Sequence, residues 1–248
     1  MIVVDGHSTD GTLDVAYELA DKVVHDERNG LGFARNLGIS ETKGDYILNL
    51  GSDNVISRRN LETMIEALEQ HDVQGVGLLT QVTGNDYLAR AINIWWRARF
   101  RAGPTAVIGT PSLFVGRTLR AHPFNQGRQH SDDSELCERW SRDFGAKFII
   151  CPSIVTEVGK ADMKEIGLRA QNYGYSDFEV YRSGVRNGWS FPRRVKSLLH
   201  PVRMDLLLVV RRSNLSDSAY ALPFLAWFTA KRYQAWLKTA IRRCGSLN

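Results

Sequence analysis

The chain alternates short apolar runs with longer segments in which apolar residues recur every three or four positions. The runs at 2–4 and 45–50 predict buried strands, whereas the spacing in 12–22 and 59–71 predicts amphipathic helices. The same patterns predict further strands at 22–25, 76–83 and 147–155, and further helices at 33–42, 87–102, 134–144 and 162–174. Strand–helix alternation with short loops is typical of an α/β protein, so we expect a mostly parallel central sheet with flanking helices.

Polar residues cluster directly after two of the predicted strands. In open α/β sheets ligands bind beyond the carboxyl ends of strands, so both clusters mark a candidate site. In the first cluster, Asp5 can accept a hydrogen bond from a nucleobase N–H or a ribose hydroxyl. The alternative, that Ser8 and Asp10 only cap the following helix, stays open.

The second cluster contains Asp53, and a third acidic cluster lies further along the chain. Asp53 is either an oxygen ligand for Mg²⁺ or Mn²⁺ beside a diphosphate, or a simple turn residue. Asp132, Asp133 and Glu135 stand at the start of a predicted helix. They either stabilise its N-terminus, or supply a general base whose pKa is raised by neighbouring carboxylates.

Charge is distributed unevenly along the 248 residues. The net charge is +5, but residues 186–248 hold twelve Lys/Arg and two acids. We therefore divide the chain into an α/β domain at 1–190 and a basic helical region at 191–248. The apolar patches within 206–237 suggest either a membrane-interfacial hairpin or a helical subdomain packed on the core. Trp95 and Trp96, beside several arginines, allow the same two interpretations.

Other global features narrow the class of protein. The three cysteines, Cys137, Cys151 and Cys244, are widely spaced and odd in number, which argues against a disulfide framework or a zinc site. We therefore interpret them as reduced thiols of a cytoplasmic protein. No secretory signal pattern and no apolar run of 18 residues is present, so a spanning helix is not expected. With the basic C-terminal region, we expect the protein to be peripheral on the cytoplasmic face of a membrane. The basic tail carries no nucleic-acid-binding signature, so no nucleic acid partner is expected.

Four motifs taken together resemble the family 2 glycosyltransferases of the GT-A fold. Residues 4–12 are similar to the family's V-D-D-G-S-T-D-G-T, and residues 32–47 to its A-R-N-x-G…A-x-G-D-Y-I. Residues 48–54 occupy the place of the D-x-D metal motif, and residues 131–139 resemble E-D-T-E-L-x-x-R. The order and spacing of all four match over about residues 1–180.

The resemblance implies an inverting transfer of a sugar from a nucleoside-diphosphate sugar to an acceptor hydroxyl. The membrane-interfacial interpretation of the C-terminal region suggests a carbohydrate or lipid-linked acceptor, with a membrane surface as a further partner. It implies that Asp133 is the catalytic base and that Asp53 ligates a divalent cation, Mg²⁺ or Mn²⁺. The implied nucleotide-sugar-binding residues are Asp5, Ser8, Asp10, Arg35, Asp53 and Asp132.

The chain departs from the family pattern in several places. Gly51 replaces the first Asp of D-x-D. Glu157 stands where the family often has a metal-binding His, and it is either a further oxygen ligand for the metal or simply a surface acid. His7 replaces a glycine and either touches the nucleotide or is a turn residue without a role. The family's opening strand and helix normally precede the first motif, so we expect an N-terminally incomplete domain. These departures leave a second hypothesis, a non-catalytic, membrane-associated relative or scaffold of the same fold.

Overall fold

The computed structural model describes residues 1–126, 132–159 and 162–245, without the side chains of 243–245. The strands are β1 (Ile2–Asp5), β2 (Lys22–His25), β3 (Tyr46–Asn49), β4 (Asn54–Val55), β5 (Gly75–Val82), β6 (Gly103–Thr105), β7 (Ser112–Val115) and β8 (Phe148–Glu157). The helices are α1 (Thr12–Leu19), α2 (Leu31–Ser40), α3 (Arg58–Gln70), α4 (Tyr87–Arg99), α5 (Gly116–Ala121), α6 (Asp132–Phe144), α7 (Met163–Arg186), α8 (Phe191–Leu198), α9 (Leu208–Arg212) and α10 (Leu215–Gly245). A π-helical segment, Val202–Leu207, precedes α9.

The described strands form two sheets. In the first, β1 and β2 pair in parallel, with Asp5 opposite His25. The second has the order β3-β7-β5-β8-β4, and β6 pairs with β8. The strand β7 is antiparallel to both β3 and β5, and β6 is antiparallel to β8. The expected α/β class with a central sheet and flanking helices is confirmed, and within the larger sheet β7 runs opposite to its two neighbours.

The chain divides into two compact units. Unit 1 comprises residues 1–79 and 102–155, and unit 2 comprises 80–101 and 156–248. Unit 1 has two apolar clusters, one around Trp140 and Phe114 and one around Met64. Unit 2 has one, in which α4, α7 and α10 pack around Trp95. The domain boundary predicted at residue 190 stays a prediction; in unit 2, α7 before that residue packs on α10 after it.

Most predicted elements are present, and the largest difference is the length of α7. The sequence pattern predicts that this helix ends at Gly174, but it continues to Arg186. A Cβ at Gly174 would lie 2.2 Å from the Arg232 carbonyl oxygen. Glycine therefore serves the close approach of α7 to α10 and does not end the helix. The polar composition of residues 122–134 predicts a loop there, and residues 127–131 of it lie outside the described residues.

The basic C-terminal region is helical, as predicted. Trp95 and Trp96 are 1% and 6% exposed and belong to the core of unit 2, so they do not form an interfacial belt. Ala221, Phe224 and Phe228 of α10 are buried in the same cluster. None of the helices in the described ranges is both long enough and apolar enough to cross a membrane.

Unit 2 also contains a buried ionic network. Arg232 on α10 donates to Asp205 at 2.9 Å, and to both carboxylate oxygens of Asp177 on α7 at 2.5 and 2.9 Å. Arg99 Nη1 lies 3.5 Å from Asp205 Oδ1. Burial raises the pKa of Asp205, while Arg232 and Arg99 oppose this rise. The network ties α10 to α7 and to the π-helical segment.

Candidate functional site

Arg35 of α2 holds both acids at the start of α6. Its Nη1 donates to Asp132 Oδ2 and to Asp133 Oδ1, each at 2.6 Å, and its Nη2 donates to the Thr110 hydroxyl at 2.9 Å. The Arg35 guanidinium also lies over the Phe124 ring, 4.9 Å from its centre. One cation thus serves two carboxylates, and the three side chains together carry a net negative charge when both acids are ionised.

The rest of the A-R-N motif fixes the position of Arg35. The Asn36 side chain donates to the Phe124 carbonyl oxygen at 2.8 Å and accepts from the Phe124 N–H at 2.9 Å. At Gly32, a Cβ would lie 2.7 Å from the Asn125 carbonyl oxygen, so only glycine allows this approach of α2 to the loop. Arg139 of α6 donates to the Pro123 carbonyl oxygen at 2.6 Å. The loop before residue 127 is therefore tied to both helices, and it carries Phe124 beneath the guanidinium.

The Asp133 side chain is mostly buried but can still be reached from solvent. Its side chain is 22% exposed, against 4% for Asp132 and 12% for Arg35. Burial raises the pKa of Asp133 to about 6; the Arg35 cation lowers it and the Asp132 carboxylate raises it further. A carboxylate with a pKa near working pH, still reachable from solvent, has the properties of a general base.

Asp5, Ser8 and Asp10 lie in the loop between β1 and α1. Asp5 is 4% exposed and accepts from the Ser8 N–H at 3.0 Å. The Ser8 hydroxyl, together with backbone N–H groups of Ser8 and His7, keeps the pKa of Asp5 below its ordinary value despite burial. Asp10 is exposed and accepts from the Thr12 hydroxyl at 2.6 Å, which lowers its pKa. Asp5 is therefore an ionised acceptor at the strand end, while Asp10 closes the turn into α1.

Asp53 follows β3 in a tight loop with Gly51 and Asn54. A Cβ at Gly51 would lie 2.6 Å from Asp53 Oδ1 and 3.0 Å from Asn54 Oδ1. The Asp53 carboxylate thus occupies the space beside the chain into which a side chain at position 51 would extend. Across residues 1–126, 132–159 and 162–245, no group of three or more His, Cys, Asp or Glu could hold a metal by itself. One carboxylate suits a Mg²⁺-type ion that takes its other ligands from phosphate oxygens and water.

Glu157, the second predicted metal ligand, ends β8 in unit 2, whereas the other predicted site residues belong to unit 1. Glu157 is 8% exposed and accepts from Arg169 at 2.7 Å. The Arg169 guanidinium in turn lies 5.3 Å from the centre of the Trp96 ring. Glu157 thus has a cationic partner and contributes to the packing of unit 2.

Sequence reasoning missed Thr110 and Phe124, which orient Arg35. Neither residue belongs to a motif, and both lie more than 70 residues from Arg35 in the chain. The composition of residues 122–126 does not indicate that this loop supports Arg35. The periodic pattern does identify the strand ends and the start of α6, which is why the acids were found and their supports were not.

Comparisons with known proteins identify the family and the fold. The family model described as glycosyl transferase family 2 matches residues 1–125. The glycosyltransferase GlyG of Streptococcus pneumoniae serotype 4 is 25% identical over 160 residues, which are 55% of this chain and 53% of GlyG. The chain therefore spans about half the length of that relative.

Two solved structures resemble the fold. The mannosyltransferase PcManGT from Pyrobaculum calidifontis, in complex with GDP-Man and Mn²⁺, superposes with a TM-score of 0.58 at 20% identity, covering 96% of this chain and 76% of PcManGT. Residues 1–349 of S. aureus TarS, in complex with UDP-GlcNAc, give a TM-score of 0.50 at 15% identity, covering 98% and 82%. These likenesses confirm the fold. With the family model matching half of the sequence, the chain belongs to glycosyl transferase family 2.

Proposed function

We propose that this protein transfers a sugar, with inversion, from a nucleoside-diphosphate sugar to a hydroxyl group of an acceptor. The observation that carries the proposal is Asp133, a partly accessible carboxylate with a pKa of about 6 beside Arg35. At neutral pH most Asp133 side chains are ionised and able to accept a proton. Arg35 adds a cation at the same place, which suits an anionic donor.

The proposed reaction is a single displacement at the anomeric carbon. Asp133 takes the proton from the acceptor hydroxyl while the oxygen of that hydroxyl forms the new bond to the anomeric carbon. The bond to the diphosphate breaks on the opposite face, its electron pair leaves with the diphosphate, and the configuration inverts. Asp5 accepts from the nucleoside at the end of β1, with Ser8 holding its carboxylate in place.

Asp53 would be the protein ligand of a divalent cation, Mg²⁺ or Mn²⁺, and the other ligands would come from phosphate oxygens of the donor and from water. When bound, the ion offsets charge on the departing diphosphate. We expect Asp53→Asn to weaken binding of a nucleoside diphosphate about tenfold or more in the presence of Mn²⁺. In excess EDTA the substitution should have little further effect, whereas an equal loss in EDTA would show that Asp53 does not act through a metal.

The acceptor is proposed to be carbohydrate or lipid-linked, with the protein peripheral on the cytoplasmic face of a membrane. Support comes from the twelve Lys/Arg against two acids in residues 186–248. Phe191 and Leu215 in this basic region are 77% and 88% exposed, which suits contact with an anionic lipid surface. Cys137 and Cys151 are buried free thiols, as in a reducing compartment.

The test is release of the nucleoside diphosphate and transfer of labelled sugar from a panel of UDP- and GDP-sugars to oligosaccharide and lipid-linked acceptors. Asp133→Asn should reduce turnover about 100-fold or more, the usual contribution of a general base. Asp143→Asn, on the exposed surface of the same helix, is the matched control and should leave turnover unchanged. Equal turnover by Asp133→Asn and the wild type would refute the role of Asp133.

A second candidate function is binding of nucleotide sugars without sugar transfer. The observation that favours it is the glycine at position 51, in place of the first Asp of D-x-D. A D-x-D motif would give a metal two carboxylates, and this loop gives it one. Tight nucleotide-sugar binding by calorimetry, with no sugar transfer or donor hydrolysis by the wild type, would support this candidate and refute catalysis.

A further inference from the structure

Two histidine rings stack at the carboxyl end of the β1–β2 sheet. The ring centres of His7 and His25 are 5.2 Å apart, and the ring planes are within 9° of parallel. His25 ends β2 directly opposite Asp5 in the parallel pair, and His7 follows Asp5 by two residues. The stacked pair therefore stands beside Asp5, at the edge of the sheet where ligands of α/β proteins bind.

The backbone around the pair is held in an unfavourable conformation. His7, Glu27 and Arg28 all have left-handed backbones, with φ of 62°, 51° and 57°. Residues with a Cβ rarely adopt this region, and glycine is the residue that adopts it without cost. The presence of histidine at position 7 is thus not explained by the turn itself, which glycine would form more easily.

Side chains from the neighbouring loop fix the His7 ring in place. His7 Nε2 lies 3.0 Å from Glu27 Oε2. Arg28 donates to the carbonyl oxygens of Gly6 and His7, at 3.2 and 3.4 Å. Even so, 44% of the His7 side chain remains exposed. The ring is positioned by its neighbours and still keeps part of its surface open to solvent.

The second ring of the pair, that of His25, also contacts residues of the site. His25 Nδ1 lies 3.6 Å from Asp5 Oδ2. Among the described residues this buried nitrogen has no hydrogen-bond partner. Its Nε2 lies 3.5 Å from the Tyr17 hydroxyl. A carboxylate acceptor and an exposed aromatic surface thus stand side by side, which is the combination that recognises a nucleobase by its edge and by its face.

We infer that His7, stacked on His25, is the platform on which the nucleobase of the donor rests. The inference rests on the proposed function, because it assigns the base-binding part of the same nucleotide site. In this arrangement Asp5 accepts a hydrogen bond from the nucleoside while the His7 ring covers the face of its base. Strain at position 7 persists because the ring serves binding rather than folding.

The experiment uses His7→Gly and His7→Asn in the full chain. Glycine relieves the left-handed backbone and asparagine tolerates it, so both variants fold, and His7→Gly should melt a few degrees above the wild type. Calorimetry then measures binding of UDP, GDP and inorganic pyrophosphate. For UDP and GDP the dissociation constant should rise about tenfold in both variants, because stacking on the base is lost. Pyrophosphate has no base, so its affinity should not change.

His71→Ala removes another exposed histidine, beyond the end of α3, and should bind all three ligands as the wild type does. Unchanged UDP and GDP affinity in both His7 variants would overturn the inference while leaving the proposed function intact. An equal loss for pyrophosphate would also overturn it, since His7 would then act on the phosphates. If the wild type binds neither UDP nor GDP, the proposed function itself fails.

Discussion

The pH dependence of sugar transfer, compared between the wild type and Arg35 variants, tests whether Arg35 controls the pKa of Asp133. With the pKa of Asp133 at about 6, the ionised fraction of this base is about one-tenth at pH 5, half at pH 6 and nine-tenths at pH 7. The rate should therefore rise through pH 6 and level off above pH 7. Because Arg35 Nη1 lies 2.6 Å from Asp133 Oδ1, its cation opposes the rise in pKa caused by burial.

Arg35→Met removes that cation while keeping an apolar side chain of similar length. The Asp132 carboxylate then remains beside Asp133 without a compensating charge, so the pKa of Asp133 should rise by about one unit or more. The acidic limb of the pH profile should move toward pH 7 or above. Arg35→Lys keeps a positive charge and should leave the limb closer to pH 6.

The assay is kcat/KM for release of the nucleoside diphosphate between pH 5 and pH 9. Both Arg35 variants should lose activity at every pH if Arg35 also contacts the donor. The test therefore uses the pH at which kcat/KM rises to half its maximum, and not the maximum value of kcat/KM. Asp133→Asn should lack the limb altogether. An Arg35→Met limb that stays at pH 6 or moves below it would refute the coupling between Arg35 and Asp133.

Three further predictions concern stability and membranes. The pKa of Asp133 is higher when folded, at about 6, than its ordinary 3.8, so stability falls as pH rises from 3.8 to 6, by about 3 kcal/mol. Urea unfolding at pH 8 should therefore show Asp133→Asn to be the more stable protein, and a less stable variant would contradict this. Arg232→Met should lose about 3–5 kcal/mol, because Asp205 stays buried without its main partner. Adding Asp205→Asn should restore part of that loss, and an unchanged loss would refute the pairing. Phe191→Ser should reduce co-sedimentation of the protein with anionic vesicles but not with neutral ones. If the variant co-sediments with anionic vesicles as much as the wild type does, Phe191 is not part of the membrane contact.

Periodicity and turn chemistry predict most of the framework. The helix predicted at 59–71 is found at Arg58–Gln70, where Ser57 and Asn60 form a capping box that fixes its start. The acids of the site were also identifiable, because they stand at strand ends and at a helix start. Such features depend on residues close together in the chain, and the sequence presents them directly.

Contacts between distant residues were not predictable in the same way. Arg35 and Asp133 are 98 positions apart, and their ion pair depends on the loop that Asn36 and Arg139 hold. Pro223 gives a local signal to end a helix, but α10 continues through it. There the Phe224 N–H donates to the Tyr87 hydroxyl at 3.2 Å, which satisfies a backbone group near the proline. Each of these outcomes requires a partner that only the folded chain supplies.

Burial of charge by itself does not distinguish the candidate site from the scaffold. Asp205 and Asp133 both have pKa values raised by burial, and both are paired with arginine. Asp205, however, has no exposed surface, so it cannot meet a substrate. Asp133 keeps 22% of its side chain exposed, and its arginine is shared with a second acid. A raised pKa marks a candidate base only where the group can still be reached. That criterion supports the proposed base on α6, whereas the buried network of α10 fits a role in stability.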